Sequence, residues 1–292
     1  MKTFFDCIPC IVRQTLDSVR LVSSDEVLHE RLLREVLRSA AEMDLDRTPP
    51  EMIQSIHRRI RDLTDHNDPY KQIKDSLNRA ALDLYPTLRT WVDESNNFLE
   101  TAARLAISGN VIDFGVNSQL SETDIRQSCM HALSTSLDGN VDEFWDAVCN
   151  AQKILYLADN AGEIVFDRLL IEQMPLEKIT VVVRGFPVIN DATIADAEDT
   201  GITELVEVIE NGSDAPGTIL ADCSESFVKR FNEADLIIAK GQGNYETLRK
   251  TDKDIYFLLK IKCPVIARDI GCQIDSLVMR RSAMPAVSSV EE

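Results

Sequence analysis

The chain has 292 residues, enough for one large or two modest domains with a sizeable core. Hydrophobic residues make up 44 % and charged residues 27 %, an ordinary globular composition, and the apolar runs are far too short to span a bilayer. A net charge of −18, from 31 basic and 49 acidic residues, repels nucleic acid and anionic membranes. Neither is expected as a partner, and an anionic substrate must be met by a local basic pocket or a bound metal.

The amino-terminal stretch "MKTFFDCIPC" carries an aspartate and a proline inside its apolar run. That makes a poor signal peptide and points to a cytoplasmic protein. Cys7 and Cys10 form a CxxC among seven scattered cysteines. No second pair of similar spacing exists, so a structural zinc site is not expected. Most thiols are then buried small hydrophobes, with a redox or auxiliary metal role for Cys7 and Cys10 as the alternative.

Helical periodicity governs the first half. Leu28, Leu32, Val36, Ala40 and Met43 share one face, and Met52, Ile53, Ile56, Ile60 and Leu63 share the next. A third helix over "NDPYKQIKDSLNRAALDLYP" takes Asp68 as N-cap, Pro69 at its first position and Pro86 just past its end. A long helix follows through "RTWVDESNNFLETAARLAISGN" to Gly109, then shorter ones over 121–136 and 141–150. Residues 1–150 therefore form a helical region, as one lobe or two. The "DLDRT" at 44–48 mimics an aspartyl-nucleophile pattern, but it follows an amphipathic helix instead of a buried strand and is discounted.

From 151 the pattern changes. Short β-branched runs, "KILYLA", "ITVVV", "LVEVI", "DLIIA" and "PVIA", alternate with helical stretches over 163–173, 192–199, 222–233 and 244–250. Alternation of this kind predicts a parallel sheet with right-handed crossovers, a three-layer α/β domain over 151–292. The tail after about residue 280 reads as loosely ordered.

Ligands of such sheets bind beyond the carboxyl ends of the strands. Asp159-Asn160-Ala161-Gly162-Glu163 follows "ILYLA", Arg184-Gly185 follows "ITVVV" with Asn190-Asp191 close behind, and Lys240-Gly241-Gln242-Gly243-Asn244 follows "DLIIA". Asp and Asn oxygens suit Mg2+ or Mn2+, while Arg, Lys and a glycine-rich turn opening a helix suit a phosphate. Each feature has a plainer explanation. Asn160 and Asp191 could each cap the helix that follows, Glu163 favours a helix amino terminus, G-x-G marks many tight turns, and Lys240 could be a solvated strand end. Convergence on one rim favours a metal and phosphate site. The chain has no G-x-x-x-x-G-K-[ST], no G-x-G-x-x-G and no H-E-x-x-H.

The segments "GNVIDFG" (109–115), "LADNAGEIVFD" (157–167), "VVRGFPVINDAT" (182–193) and "KGQGNYETL" (240–248) resemble the damage-control phosphatase family. These are metal-dependent phosphatases related to acidic-residue methyltransferase-like proteins. "CIPC" and "NDPYKQIK" look like the CxxC-bearing prokaryotic branch. The resemblance covers nearly the whole chain and implies a helical amino-terminal region on a Rossmann-like α/β domain. It implies a divalent ion, Mg2+, Mn2+, Co2+ or Ni2+, on Asp159, Asn160 and Asp191, and a small phosphorylated metabolite as substrate. Lys240 and Asn244, with Gly241 and Gly243 of the same turn, would hold the phosphate. Lys240, as a catalytic group, would neutralise its charge with Arg184 and Lys262, and Asp113 would support the site. Asn110 and Asn117 share the Asp113 motif. Related branches carry R-T-x-K where this chain has "LKIK" (259–262), so Lys262 keeps the last position and the branch's substrate preference does not carry over. The expected activity is phosphate-ester hydrolysis by a metal-activated water, with Asp159 and Asp191 both candidates for proton transfer. The competing readings are another metal-assisted transfer on a phosphorylated substrate and a non-enzymatic metal-binding module. A carboxyl methyltransferase is disfavoured, because no glycine-rich loop follows the first strand.

Overall fold

Runs such as Ile154–Leu157 and Leu236–Lys240 bury every residue, as strands covered by helices on both faces must. The computed structural model describes residues 1–64, 67–109 and 122–282. In chain order the helices and strands are α1 (Cys7–Val22), α2 (Glu26–Ala41), α3 (Pro49–Thr64), α4 (Lys71–Asp93), α5 (Phe98–Ser108), α6 (Glu122–Ser134), β1 (Leu137–Asp138), α7 (Val141–Asn150), β2 (Ile154–Leu157), α8 (Glu163–Ile171), β3 (Ile179–Val183), α9 (Ile194–Asp199), β4 (Glu207–Glu210), α10 (Glu225–Glu233), β5 (Leu236–Lys240), α11 (Gly241–Leu248), β6 (Ile255–Lys260), α12 (Pro264–Ile270) and β7 (Leu277–Arg281). Asn110, Asp113 and Asn117 lie outside the described residues, as does most of the tail.

One sheet runs in the order β1-β7-β6-β5-β2-β3-β4. Strands β6, β5, β2, β3 and β4 are mutually parallel, and β7 pairs antiparallel with β6. Successive strand residues feed opposite faces. Ile154, Tyr156, Val181, Val183 and Ile238 join one buried cluster with α4 to α9. Leu155, Leu157, Val182, Ile237 and Ala239 join the other with α1 to α3 and α10 to α12. Each fully buried Leu, Ile or Phe adds roughly 1.5–3 kcal/mol, so both helical layers are strongly held. The chain changes face between Thr64 and Lys71.

Several element expectations need correction. The run at 264–267, expected as a strand, opens α12, with Pro264 at its first turn where the missing N–H costs nothing. The strand before it, β6, is a continuous apolar run that periodicity alone could not separate from a helix. Pro86 lies inside α4, which continues to Asp93. The expected long helix through 89–110 breaks, because Asn97 accepts from Glu100 N at 3.1 Å and starts α5 afresh. Strand β1 falls in the connection between the helices expected over 121–136 and 141–150, inside the region read as helical. Among the described residues, no helix is long and apolar enough to cross a membrane.

Candidate active site

The carboxyl ends of β2 and β3 are sewn together by backbone. Ala192 N donates to Asp159 O at 2.8 Å and Ala161 N to Asn190 O at 2.9 Å, and Asn160 and Asp191 form an isolated antiparallel bridge. Arg184 N donates to Ala192 O at 2.9 Å, which ties the end of β3 into the same knot. The turn that delivers Asp191 contains Ile189 at φ 45°. For a β-branched residue this is a strained conformation, of order 1–3 kcal/mol.

Asp159, Asn160, Asp191 and Arg184, distant in the sequence, thus meet. The Arg184 guanidinium is buried, with Nε 2.6 Å from Asp191 Oδ2 and Nη2 3.7 Å from Asp159 Oδ1. Among the described residues Nη2 has no hydrogen-bond partner, an unusual state for a buried cationic donor and one that an anionic ligand would satisfy. Asp159 is the most accessible of the four, with 12 % of its side chain exposed.

The Asn160 amide is oriented by its neighbours. Its Nδ2 donates to Asp159 Oδ2 and to Glu163 Oε2, both at 2.9 Å. Two carboxylate acceptors demand the NH2 end, so Oδ1 is left as the accepting end of the amide. Two carboxylates and an amide oxygen are a hard donor set of the kind Mg2+ and Mn2+ take, so these residues fit such an ion. Among the described residues, no group of three or more His, Cys, Asp or Glu side chains is placed to hold a metal. This set supplies only two such side chains, Asp159 and Asp191, and relies on the amide.

Lys240 departs from its expected part. It is fully buried, and Nζ donates to Glu163 Oε1 at 2.8 Å, to Ala106 O at 2.8 Å and to Asp167 Oδ1. All three ammonium hydrogens are taken by protein acceptors, which leaves none for a phosphate. Burial alone would push this ammonium down, but the Asp167 and Glu163 carboxylates outweigh it and hold the pKa above its ordinary value. Burial and the nearby Glu163 push Asp167 up to about 6, against the pull of Lys240. Tyr156 OH donates to Asp167 Oδ1 at 2.8 Å from below. Glu163 is likewise more than a helix-start carboxylate, since it is 1 % exposed and bonded at both oxygens. Glu163, Asp167 and Tyr156 carry a signal that sequence reasoning passed over. Two acids four apart share one face of "EIVFDRLLI", and once buried they require a cation nearby.

Asn244 also faces inward. It is fully buried, with Nδ2 2.8 Å from Lys240 O and Oδ1 accepting from Thr218 Oγ1 at 2.8 Å. It locks the start of α11 to the loop after β4 and does not present its amide to the rim. Gly243 packs its bare Cα against the Pro216 carbonyl, and Gly241 against the Asp159 carboxylate. Lys262 is exposed just beyond the end of β6 on the same rim.

Two helices wall the rim. From α3, Gln54 donates to Asp214 Oδ1 at 2.7 Å and to Asp222 Oδ2 at 2.6 Å, Arg58 and Arg61 pair with Asp214, and Arg61 Nη1 holds Pro187 O at 2.9 Å. From α4, Lys74 pairs with Asp196 at 2.8 Å and Asn78 Oδ1 accepts from Gly162 N at 2.6 Å. Phe186, two residues past Arg184, is 58 % exposed at this rim. The partners of α3 lie some 150 residues away in sequence, and no local pattern announces them.

His57 of α3 is buried, and burial, aided by Arg61, depresses its pKa to about 4. A depressed folded-state value means that stability is full above the unfolded value of 6.5 and is lost as pH falls toward 4. Urea unfolding at pH 7 and pH 5 should show wild type losing about 2 kcal/mol more than His57→Gln. Equal losses would remove His57 from the acid response.

Two remaining motifs have contacts of their own. "DLDRT" lies between α2 and α3, where Thr48 N donates to Glu51 Oε2 at 2.7 Å in a helix-start contact. All seven cysteines are unpaired; Cys7 is buried and burial pushes its thiol up, the opposite of an activated thiolate, while Cys10 is exposed.

Residues 3–278 match the family described as damage-control phosphatase ARMT1-like domain. The chain is 37 % identical over 292 residues to the uncharacterized protein MJ0202 of Methanocaldococcus jannaschii, covering 94 % of each. It is 35 % identical over 280 residues to a damage-control phosphatase of Archaeoglobus fulgidus, covering 94 % of this chain and 97 % of that one. The crystal structure of a DUF89 family protein, PH1575 of Pyrococcus horikoshii, superposes with a TM-score of 0.88 at 31 % identity, covering 97 % of this chain and 99 % of that one.

Proposed function

The chain belongs to the damage-control phosphatase ARMT1-like family, and from that premise we propose that it hydrolyses phosphate monoesters of small metabolites with a divalent ion on Asp159, Asn160 and Asp191. The observation that carries this reading is the knot of two carboxylates and an oriented amide around a buried arginine whose Nη2 has no hydrogen-bond partner among the described residues. Mg2+, Mn2+, Co2+ or Ni2+ would suit it, and when bound such an ion polarises a phosphoryl oxygen and acidifies water. Arg184 Nη2 donates to a phosphate oxygen and offsets charge that builds there. Asp191 already gives Oδ2 to Arg184, so Asp159, the more exposed carboxylate, is assigned to receive a proton. The walls from α3 and α4 exclude water and bound the substrate. The strong negative charge favours a small anion received locally over nucleic acid or membrane, and seven unpaired thiols favour a cytoplasmic setting.

The test is hydrolysis of an aryl phosphate by metal-depleted protein with each ion added back. Activity should require the ion, stop on chelation, and fall by about 100-fold or more in Asp159→Ala and in Asp191→Ala. Full metal-dependent turnover in either variant would place the chemistry elsewhere.

A further inference from the structure

We propose that Glu163, itself held by Lys240, is the positioning residue that turns the Asn160 amide oxygen toward the metal. The inference rests on the metal reading above and adds a cause for one ligand's geometry. A carboxamide has two ends of nearly equal shape and opposite polarity, and only its oxygen can bind a cation. Asp159 Oδ2 accepts only one of the two Nδ2 hydrogens. The second acceptor, Glu163 Oε2 at 2.9 Å, demands both hydrogens of Nδ2 on that side.

Glu163 can hold this position because its other oxygen is occupied. Lys240 Nζ lies 2.8 Å from Oε1 and counters the carboxylate's charge inside the fold. Lys240 is pinned in turn by Asp167 and by the Ala106 carbonyl, which lies in the last turn of α5, where an ammonium also satisfies an orphan acceptor. Tyr156 braces Asp167 from β2. A chain of contacts therefore runs from the end of α5 through β5 and α8 to one amide on the rim. Such outer partners fix the orientation of metal ligands in general.

The plainer alternative is a buried ion pair that only fastens α8 to β5. Glu163→Gln separates the two. The replacement keeps an oxygen for Lys240 but presents an NH2 to the Asn160 NH2, so the amide must rotate and offer its nitrogen to the ion. Asn160→Asp added to Glu163→Gln swaps carboxylate and amide at unchanged net charge. The NH2 at 163 then donates to the new carboxylate at 160, which still offers an oxygen to the metal.

Mn2+ binding by the metal-depleted full chain, measured by calorimetry and by the electron paramagnetic resonance of free Mn2+, is the readout. Circular dichroism of the metal-free proteins verifies folding. Glu163→Gln should bind Mn2+ about 10- to 100-fold more weakly than wild type, and the double variant should return close to wild type. Wild-type affinity in Glu163→Gln, or a double variant no better than the single, overturns the positioning role while leaving the metal site standing. Absence of Mn2+ binding by wild type overturns the metal site and the positioning role with it.

Discussion

Gly241→Ala is expected to leave a folded protein with turnover reduced by about 100-fold. Gly241 sits at φ +77°, which costs an alanine roughly 1–2 kcal/mol. The larger effect is steric. A Cβ at this position would overlap Asp159 Oδ2, a contact no real Cβ makes. The carboxylate must move by about an ångström, and it cannot do so while keeping Asn160 Nδ2 and its place beside Arg184. Gly271→Ala is the matched control, with φ +80° and nothing near its added methyl. It should show the backbone cost in thermal stability and wild-type turnover. If Gly241→Ala keeps full activity, Asp159 is not held where the chemistry needs it.

Lys240→Met is expected to cost about 3–5 kcal/mol, because removal of one member of a buried charge cluster strands the others. Glu163 and Asp167 would then face each other with no cation and almost no exposure. That is a large fraction of a typical total stability of about 5–15 kcal/mol. The loss should also depend on pH. Burial already raises Asp167 to about 6 with the ammonium in place, and without it the value must rise further. A raised folded-state value gives stability that is full below the unfolded value of 3.8 and is lost as pH climbs through the folded one. The deficit should therefore be larger at pH 8 than at pH 5 in urea unfolding, and Asp167→Asn in the same background should recover part of it. A deficit that is small or shrinks with rising pH would show that the cluster is not held together by charge.

The contrast between these residues and their sequence readings has a physical origin. Asp159, Asn160, Arg184 and Asp191 were legible because strand ends of a covered parallel sheet point to one rim, and polar residues there have few other reasons to gather. Lys240 and Asn244 belong to the same motif, yet they face inward. A strand buried on both faces is apolar throughout, so its pattern holds no record of which way its last residue turns. In sequence Glu163 is a first-turn acid suited to a helix dipole, and only its burial beside Lys240 reveals its bond to Asn160. The α12 error came from Pro264, which suits a helix start as well as a strand edge.

The change of face between Thr64 and Lys71 bears on how relatives of this fold diversify. Arg58 and Arg61 reach the rim from one layer, and Lys74 and Asn78 reach it from the other. The proposed reacting groups all come from chain beyond residue 158, nearly a hundred residues downstream. Drift in the α3–α4 segment can therefore reshape what is admitted without touching what reacts. Selection for a new substrate should accumulate its changes in that early stretch, while the strand-end knot stays constant.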